Sequence, residues 1–216
     1  MKITGIETTK KGRYSLFVDG EFAFSVHKDI FLTTELQKDA EMTPERLAEI
    51  RVEDNFLSAK EKALDLLSAR EYTSAMLRQK LRQYYEEEPV EFAVGRMLEL
   101  GLINDLDYGT RLCRDFINLR HYPLRRIALE LSKRGLSREM IDEILSQYSE
   151  ESQAAAAAGL IQKKYKNNLS DQKGIQKTIA ALLRRGFTME DIRAGLSMVL
   201  EEWRQEELPP ESEELP

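Results

Sequence analysis

Arg134-Gly135-Leu136-Ser137 with Ile141, and Arg185-Gly186-Phe187-Thr188 with Ile192, repeat one pattern at a spacing of 51 residues. In each, a helix ends in basic residues, Lys133-Arg134 or Arg184-Arg185. The glycine that follows takes the left-handed backbone that closes a helix, and the cations sit at the negative helix end. Two residues on, a hydroxyl starts the next helix by accepting from one of its unpartnered N–H groups. The apolar residue before that hydroxyl and the one four positions after it form a hydrophobic staple. Tyr72-Thr73 with Leu77 makes a third such staple.

Working outward, Tyr72, Leu77 and Leu81 match Tyr122, Ile127 and Leu131 at a spacing of 50. Self-similarity at this period marks a repeat architecture. The pattern predicts three units at about 55–104, 105–151 and 152–204, each a three-helix group on the helix-turn-helix plan. Units joined with so little linker are expected to stack into an elongated, curved array. Ala154 to Ala158 is a run of the best helix former and should open the first helix of the third unit or lengthen a connecting one.

The N-terminal part follows a different period. Tyr14 to Val18 and Phe22 to Val26 alternate around Asp19-Gly20, the strongest short hairpin signal, because both turn positions need positive φ. A lone hairpin is marginal in water and needs a third strand, for which Ile3 to Thr8 is the candidate, or a helix to lean on. Thr43-Pro44-Glu45 is the start of a helix, with a hydroxyl cap, proline in the first turn and an early acid. The expected fold class is therefore mainly α. Residues 1–54 form an N-terminal β-hairpin extension with a linking helix, three three-helix repeats follow, and residues 205–216 are expected to be a disordered acidic tail.

Charge is distributed unevenly. The net −6 of the 216 residues is matched by the last sixteen, which hold seven Glu and one Arg, so residues 1–200 are neutral. Within them, 111–138 carries eight Lys/Arg against Asp115 and Glu130, and 163–185 carries seven against Asp171. Partners feel this local field rather than the average. No apolar run suggests a signal peptide or a membrane span, and a single cysteine, Cys113, excludes an internal disulfide. A cytoplasmic protein is expected, with Cys113 an inert, partly buried thiol.

The residue types that carry catalysis are sparse. His27 and His121 lie far apart, and neither has a Ser or Cys context that suggests a nucleophile; His121, before Tyr122-Pro123, reads as a loop residue. No glycine-rich phosphate loop is present. Asn104, Asp105 and Asp107 lack the third ligand, glycine and distal Glu of a calcium loop, and read as a turn that caps the next helix. Glu86 to Glu88 is a solvated charge run. The expectation is no catalytic residue, no metal site, no cofactor and no enzymatic activity.

Ala63-Leu64 through Leu66, Arg70, Tyr72-Thr73, Leu77-Arg78 and Lys80-Leu81 resemble the opening unit of the RecX family, regulators of the RecA recombinase. Leu100-Gly101-Leu102-Ile103-Asn104-Asp105 followed by Tyr108 resembles that family's junction between first and second units. Ile127 to Leu131 with Lys133-Arg134-Gly135-Leu136 fits the second module, and Arg184-Arg185-Gly186-Phe187 the third. The resemblance covers about 55–204. The chain departs from the family pattern at Gln83-Tyr84-Tyr85-Glu86, where a basic residue and glycine are usual, and in its acidic tail. The β segment is similar to an extension of RecX proteins in some Gram-positive bacteria.

The resemblance implies a monomer that binds RecA and its filament on single-stranded DNA. It would span the groove and hold down recombinase, ATPase and co-protease activity. Clustering and position make Arg111, Arg114, Arg125, Arg126, Lys133, Arg134, Arg184 and Arg185 the expected contacts to RecA or DNA. The alternative is a stand-alone tandem helix-turn-helix DNA-binding protein, which would bind DNA without RecA and with a steep salt dependence.

Overall fold

The structure, a computed structural model, describes the backbone of residues 1–10, 12–34 and 36–207, and the side chains of all of these except 150 and 202–207. The acidic tail expected from residue 205 lies outside the described residues from 208 onward. The chain divides into two compact units, 1–104 and 105–216.

The first unit opens with an antiparallel sheet of β1 (Ile3–Thr8), β2 (Tyr14–Val18) and β3 (Glu21–Val26), in that order. Asp19 and Gly20 both take positive φ, at 50° and 91°, as the Asp-Gly turn demands. One face buries Ile3, Leu16 and Val26 against Leu36 and Ile50. The hairpin thus finds both supports that its marginal stability requires: β1 as a third strand, and helices α1 (Lys28–Thr33) and α2 (Pro44–Ala69). Tyr14 stacks on Phe31 of α1 at 4.0 Å between ring centroids.

Helix α2 begins as expected, with the Thr43 side chain accepting from Arg46 N–H and Pro44 in the first turn. It then runs unbroken through residue 54. Its N-terminal half carries the sheet and buries Leu47, Ile50 and Asp54. Its C-terminal half buries Ala59 and Ala63 in a separate core with α3 (Ser74–Leu81) and α4 (Glu87–Glu99).

Asp54 is the polar centre of the sheet–helix contact. Although buried, its carboxylate pairs with the Arg13 guanidinium, accepts from His27 N–H at 2.6 Å and accepts from Ser58 Oγ at 3.3 Å. Arg13 also donates to the Ser25 carbonyl of β3 at 2.7 Å. A carboxylate taken out of water has to be paired and hydrogen-bonded in this way.

The second unit contains six α-helices among its described residues: α5 (Asp105–Asn118), α6 (Leu124–Ser132), α7 (Arg138–Leu145), α8 (Glu150–Tyr165), α9 (Gln172–Arg185) and α10 (Met189–Glu207). The repeated turn chemistry folds as read. Gly135 and Gly186 adopt φ of 80° and 100°, Ser137 caps Met140 N–H, and Thr188 and Asp191 exchange hydrogen bonds as a capping box. Leu136 and Ile141, and Phe187 and Ile192, are buried as staples.

One apolar core runs through all six helices, from Cys113 to Val199. The alanine run helps to close it. Ala154, Ala157 and Ala158 of α8 face Gly195 of α10 so closely that a Cβ at 195 would lie 2.9 Å from Ala157 Cβ and 3.0 Å from the Ala154 carbonyl oxygen. The low-complexity stretch is thus a packing surface as well as a helix former. Cys113 is fully buried in this core, and burial pushes its thiol up to about 11, which keeps it protonated at neutral pH.

Replacing Asp54 by Ala strands the Arg13 guanidinium and leaves His27 N–H without its acceptor. The expected cost is about 3 kcal/mol of stability, the low end for breaking a buried pair because Arg13 is partly exposed. Urea denaturation followed by circular dichroism measures it, and an unchanged midpoint would show that the clamp is dispensable.

Candidate functional site

The eight basic residues singled out from the sequence all lie in the second unit, and the structure divides them. Arg111 forms an ion pair with Asp107 at 3.1 Å. Lys133 and Arg134 share Glu130, each at 3.2 Å, and these two hydrogen-bonded cations hold its carboxyl below the usual carboxylate range. Arg114, Arg125 and Arg184 are exposed. Arg126 and Arg185 are half-buried and meet across a cleft of about 360 Å³.

Three separate stretches of chain build that cleft. The loop between α5 and α6 supplies Arg120, His121 and Tyr122, and α6 supplies Arg126. The last turn of α8 supplies Lys163 and Lys164, and the last residue of α9 is Arg185. No Asp or Glu lines it among the described residues, and none of its five Lys/Arg side chains makes an ion pair with one. Concave walls bearing one sign of charge focus the field into the opening.

The geometry of the loop follows from local rules. His121 sits just past the end of α5 with φ of 51°, and its N–H and that of Tyr122 donate to the carbonyls of Ile117 and Phe116, at 3.1 and 3.0 Å. A positive φ is uncommon outside glycine, although histidine is among the residues enriched there. The Tyr122 ring stacks on Phe116 at 5.3 Å and carries the Arg126 guanidinium 3.9 Å from its centroid. The cation–π contact and a hydrogen bond of 3.2 Å from Arg126 to the Tyr122 hydroxyl fix Arg126 at the cleft wall.

The imidazole of His121 packs on Gly159 of α8. A Cβ at 159 would approach that ring to 2.6 Å, so only glycine leaves room for it. Burial, reinforced by the nearby Lys163 charge, pushes the His121 pKa below 6.5. Pro123 opens α6 without a side-chain cap, and the buried Gln153 of α8 supplies the missing acceptor, with its Oε1 taking Leu124 N–H at 2.9 Å.

Sequence reasoning missed Arg120, His121, Lys163 and Lys164 as members of one site. The two lysines stood out as part of a basic block, but nothing in the sequence brings 120–126 next to 163–185. In the first unit the corresponding cations are occupied. Arg78 pairs with Glu91 at 2.8 Å, and the Arg82 guanidinium with Glu87. The glutamates that follow the atypical Gln83 to Glu86 turn thus neutralise the helix before it. Among the described residues no cluster of His, Cys, Asp and Glu has the makings of a metal site, and no helix is long and apolar enough to cross a membrane.

These features define a protein of three-helix repeats with an N-terminal β-module and a basic cleft in its second unit. The comparisons with known proteins name the family. Its characteristic domains match here as the N-terminal domain of regulatory protein RecX over residues 1–43, the first three-helix domain over 59–97 and the third over 150–196. Regulatory protein RecX of Clostridium beijerinckii is 32% identical over 196 residues, covering 88% of this chain and 91% of its own. That of Clostridioides difficile is 28% identical, covering 92% and 95%. A crystal structure of regulatory protein RecX superposes with a TM-score of 0.68 at 28% identity over 93% of this chain and all of its own. RecX from Lactobacillus salivarius shares the fold, with a TM-score of 0.62 at 24% identity over 68% of this chain and 98% of its own. The chain belongs to the RecX family of regulatory proteins.

The lowered His121 pKa has a consequence for stability. Between 6.5 and the folded-state pKa of His121, the unfolded chain binds the proton and the folded one does not. The contribution of His121 is therefore complete above 6.5 and declines as pH falls below it. His121→Asn, which tolerates the same backbone, is expected to lose less thermal stability than the parent between pH 7.5 and pH 5. Parallel melting curves across that range give the comparison.

Proposed function

We propose that this protein binds RecA and the RecA filament on single-stranded DNA. There it holds down recombinase, ATPase and co-protease activity by lying along the filament groove. The observation that carries this reading is 32% identity to a regulatory protein RecX across 91% of that relative's length. The distribution of charge supports it. Single-stranded DNA presents phosphates, and the second unit offers a cleft of five cations that no carboxylate lines among the described residues.

The contacts in this reading are Arg111, Arg114, Arg125, Arg126, Lys133, Arg134, Arg184 and Arg185. They lie on repeats that we place at 105–151 and 152–204, after a first repeat at 55–104. Several weak basic faces on one chain reinforce each other when geometry lets them engage together. The protein acts as a monomer in the cytoplasm, with no cofactor and no catalysis of its own. The cleft also favours a second reading, direct binding to DNA without RecA, which predicts an affinity that falls steeply with salt.

ATP hydrolysis by RecA assembled on single-stranded DNA separates the two. Substoichiometric amounts of the protein should lower hydrolysis progressively, and electron micrographs should show shortened filaments. Reversing all eight charges should raise the concentration needed by about tenfold or more, because each lost pairing of close charges weakens the complex. Unchanged hydrolysis and no co-sedimentation with filaments would remove the RecA reading and leave direct DNA binding.

A further inference from the structure

We propose that the cleft between the α5–α6 loop and the ends of α8 and α9 is a phosphate-binding site, in which His121 takes up a proton when the site is filled. The reading does not rest on RecA as partner.

Five side chains, Arg120, Arg126, Lys163, Lys164 and Arg185, bring five positive charges to about 360 Å³ of concave space with no acidic side chain in its lining among the described residues. Both lysines and Arg185 stand at helix C-termini, where the exposed carbonyls offset only part of that charge. A single carboxylate is satisfied by one guanidinium. Five cations suit a group with several anionic oxygens, and guanidinium and ammonium groups are the donors that recognise phosphate.

The walls also say what the site does not read. The Tyr122 ring is already engaged, stacked with Phe116 and under the Arg126 guanidinium, which leaves a base little of it to stack on. Recognition is therefore of charge and oxygen geometry. Phosphates on a nucleic-acid backbone and those of a small polyphosphorylated metabolite share that chemistry.

His121 is the internal reporter. It faces Lys163 and Lys164 from α8, Arg126 from α6, Arg185 from α9 and Arg120 from its own loop, and among the described residues no carboxylate lines the cleft. Burial and Lys163 disfavour its charged form. An anion beside it reverses that balance and favours the imidazolium. Gly159 seats the ring against α8, and the left-handed backbone at His121 turns the loop at the cleft edge.

The test is a pH titration of both histidines by NMR in the full chain, with His121 assigned through His121→Asn. Sodium tripolyphosphate and a twelve-residue oligothymidylate are the probes, each against sodium chloride at equal ionic strength. The expected result is that His121 titrates at higher pH with at least one probe while His27 is unmoved. The double variant Arg126→Gln/Lys163→Gln should lose about tenfold or more in affinity for that probe, as expected when charge-assisted hydrogen bonds are removed. Arg138→Gln/Arg193→Gln, two exposed positions outside the cleft, removes the same net charge and should bind as the parent does. A response to tripolyphosphate alone identifies a metabolite phosphate, and a response to the oligonucleotide identifies a backbone phosphate. The proposal is overturned if neither probe moves His121, or if both double variants respond alike. No inhibition of RecA by the parent protein, with the titration intact, would count against the RecA reading alone.

Discussion

The second unit depends on how helix α6 is capped. Each repeat has to start its middle helix with N–H groups that the helix itself cannot satisfy. In the first repeat Thr73 is fully buried and accepts from Met76 N–H at 3.1 Å. In the third, Asp171 accepts from Gly174 N–H. In the second the position is Pro123, which brings no acceptor, and the bond comes from Gln153 of α8. The start of α6 is therefore completed by a side chain from the next repeat. The shared core from Cys113 to Val199 is the apolar counterpart of that one polar bond, and both hold the 119–123 loop against α8. The cleft exists because that loop is held there.

The same dependence explains why net charge misleads for this chain. Basic residues are spread over all three repeats, but only some remain unneutralised. The glutamates after the atypical turn of the first repeat occupy Arg78 and Arg82, and Glu130 gathers Lys133 and Arg134. Ion pairs at the surface add little to stability, so their main effect is on the field the surface presents. What remains concentrated is a patch set by three chain segments, while the acidic C-terminal residues account for the overall sign.

In the first unit a different economy operates. One long helix serves two cores, with the sheet on its N-terminal half and the first three-helix repeat on its C-terminal half. A three-stranded sheet and a short helical repeat each have too little surface to bury for an ample core of their own. A shared helix supplies both with a wall, and the buried Asp54–Arg13 pair fixes the register of the sheet on it.

The sequence alone determined the hairpin at Asp19-Gly20, the helix start at Thr43-Pro44, the stapled and glycine-closed turns at 134–137 and 185–188, and the resemblance to RecX. Each of these is written in residues within a few positions of one another, where backbone sterics and capping decide the outcome before any tertiary contact forms. Tertiary structure alone decided that α2 continues through residue 54, that the alanine run is a close-packing face for Gly195, and that Arg120, His121, Arg126, Lys163, Lys164 and Arg185 share one cleft. Those facts concern pairs of residues tens of positions apart. Which cations end up beside a carboxylate and which beside one another depends on the angle at which α8 and α9 meet the α5–α6 loop. Side-chain volumes in the shared core and the single Gln153 bond set that angle, and no local pattern encodes it.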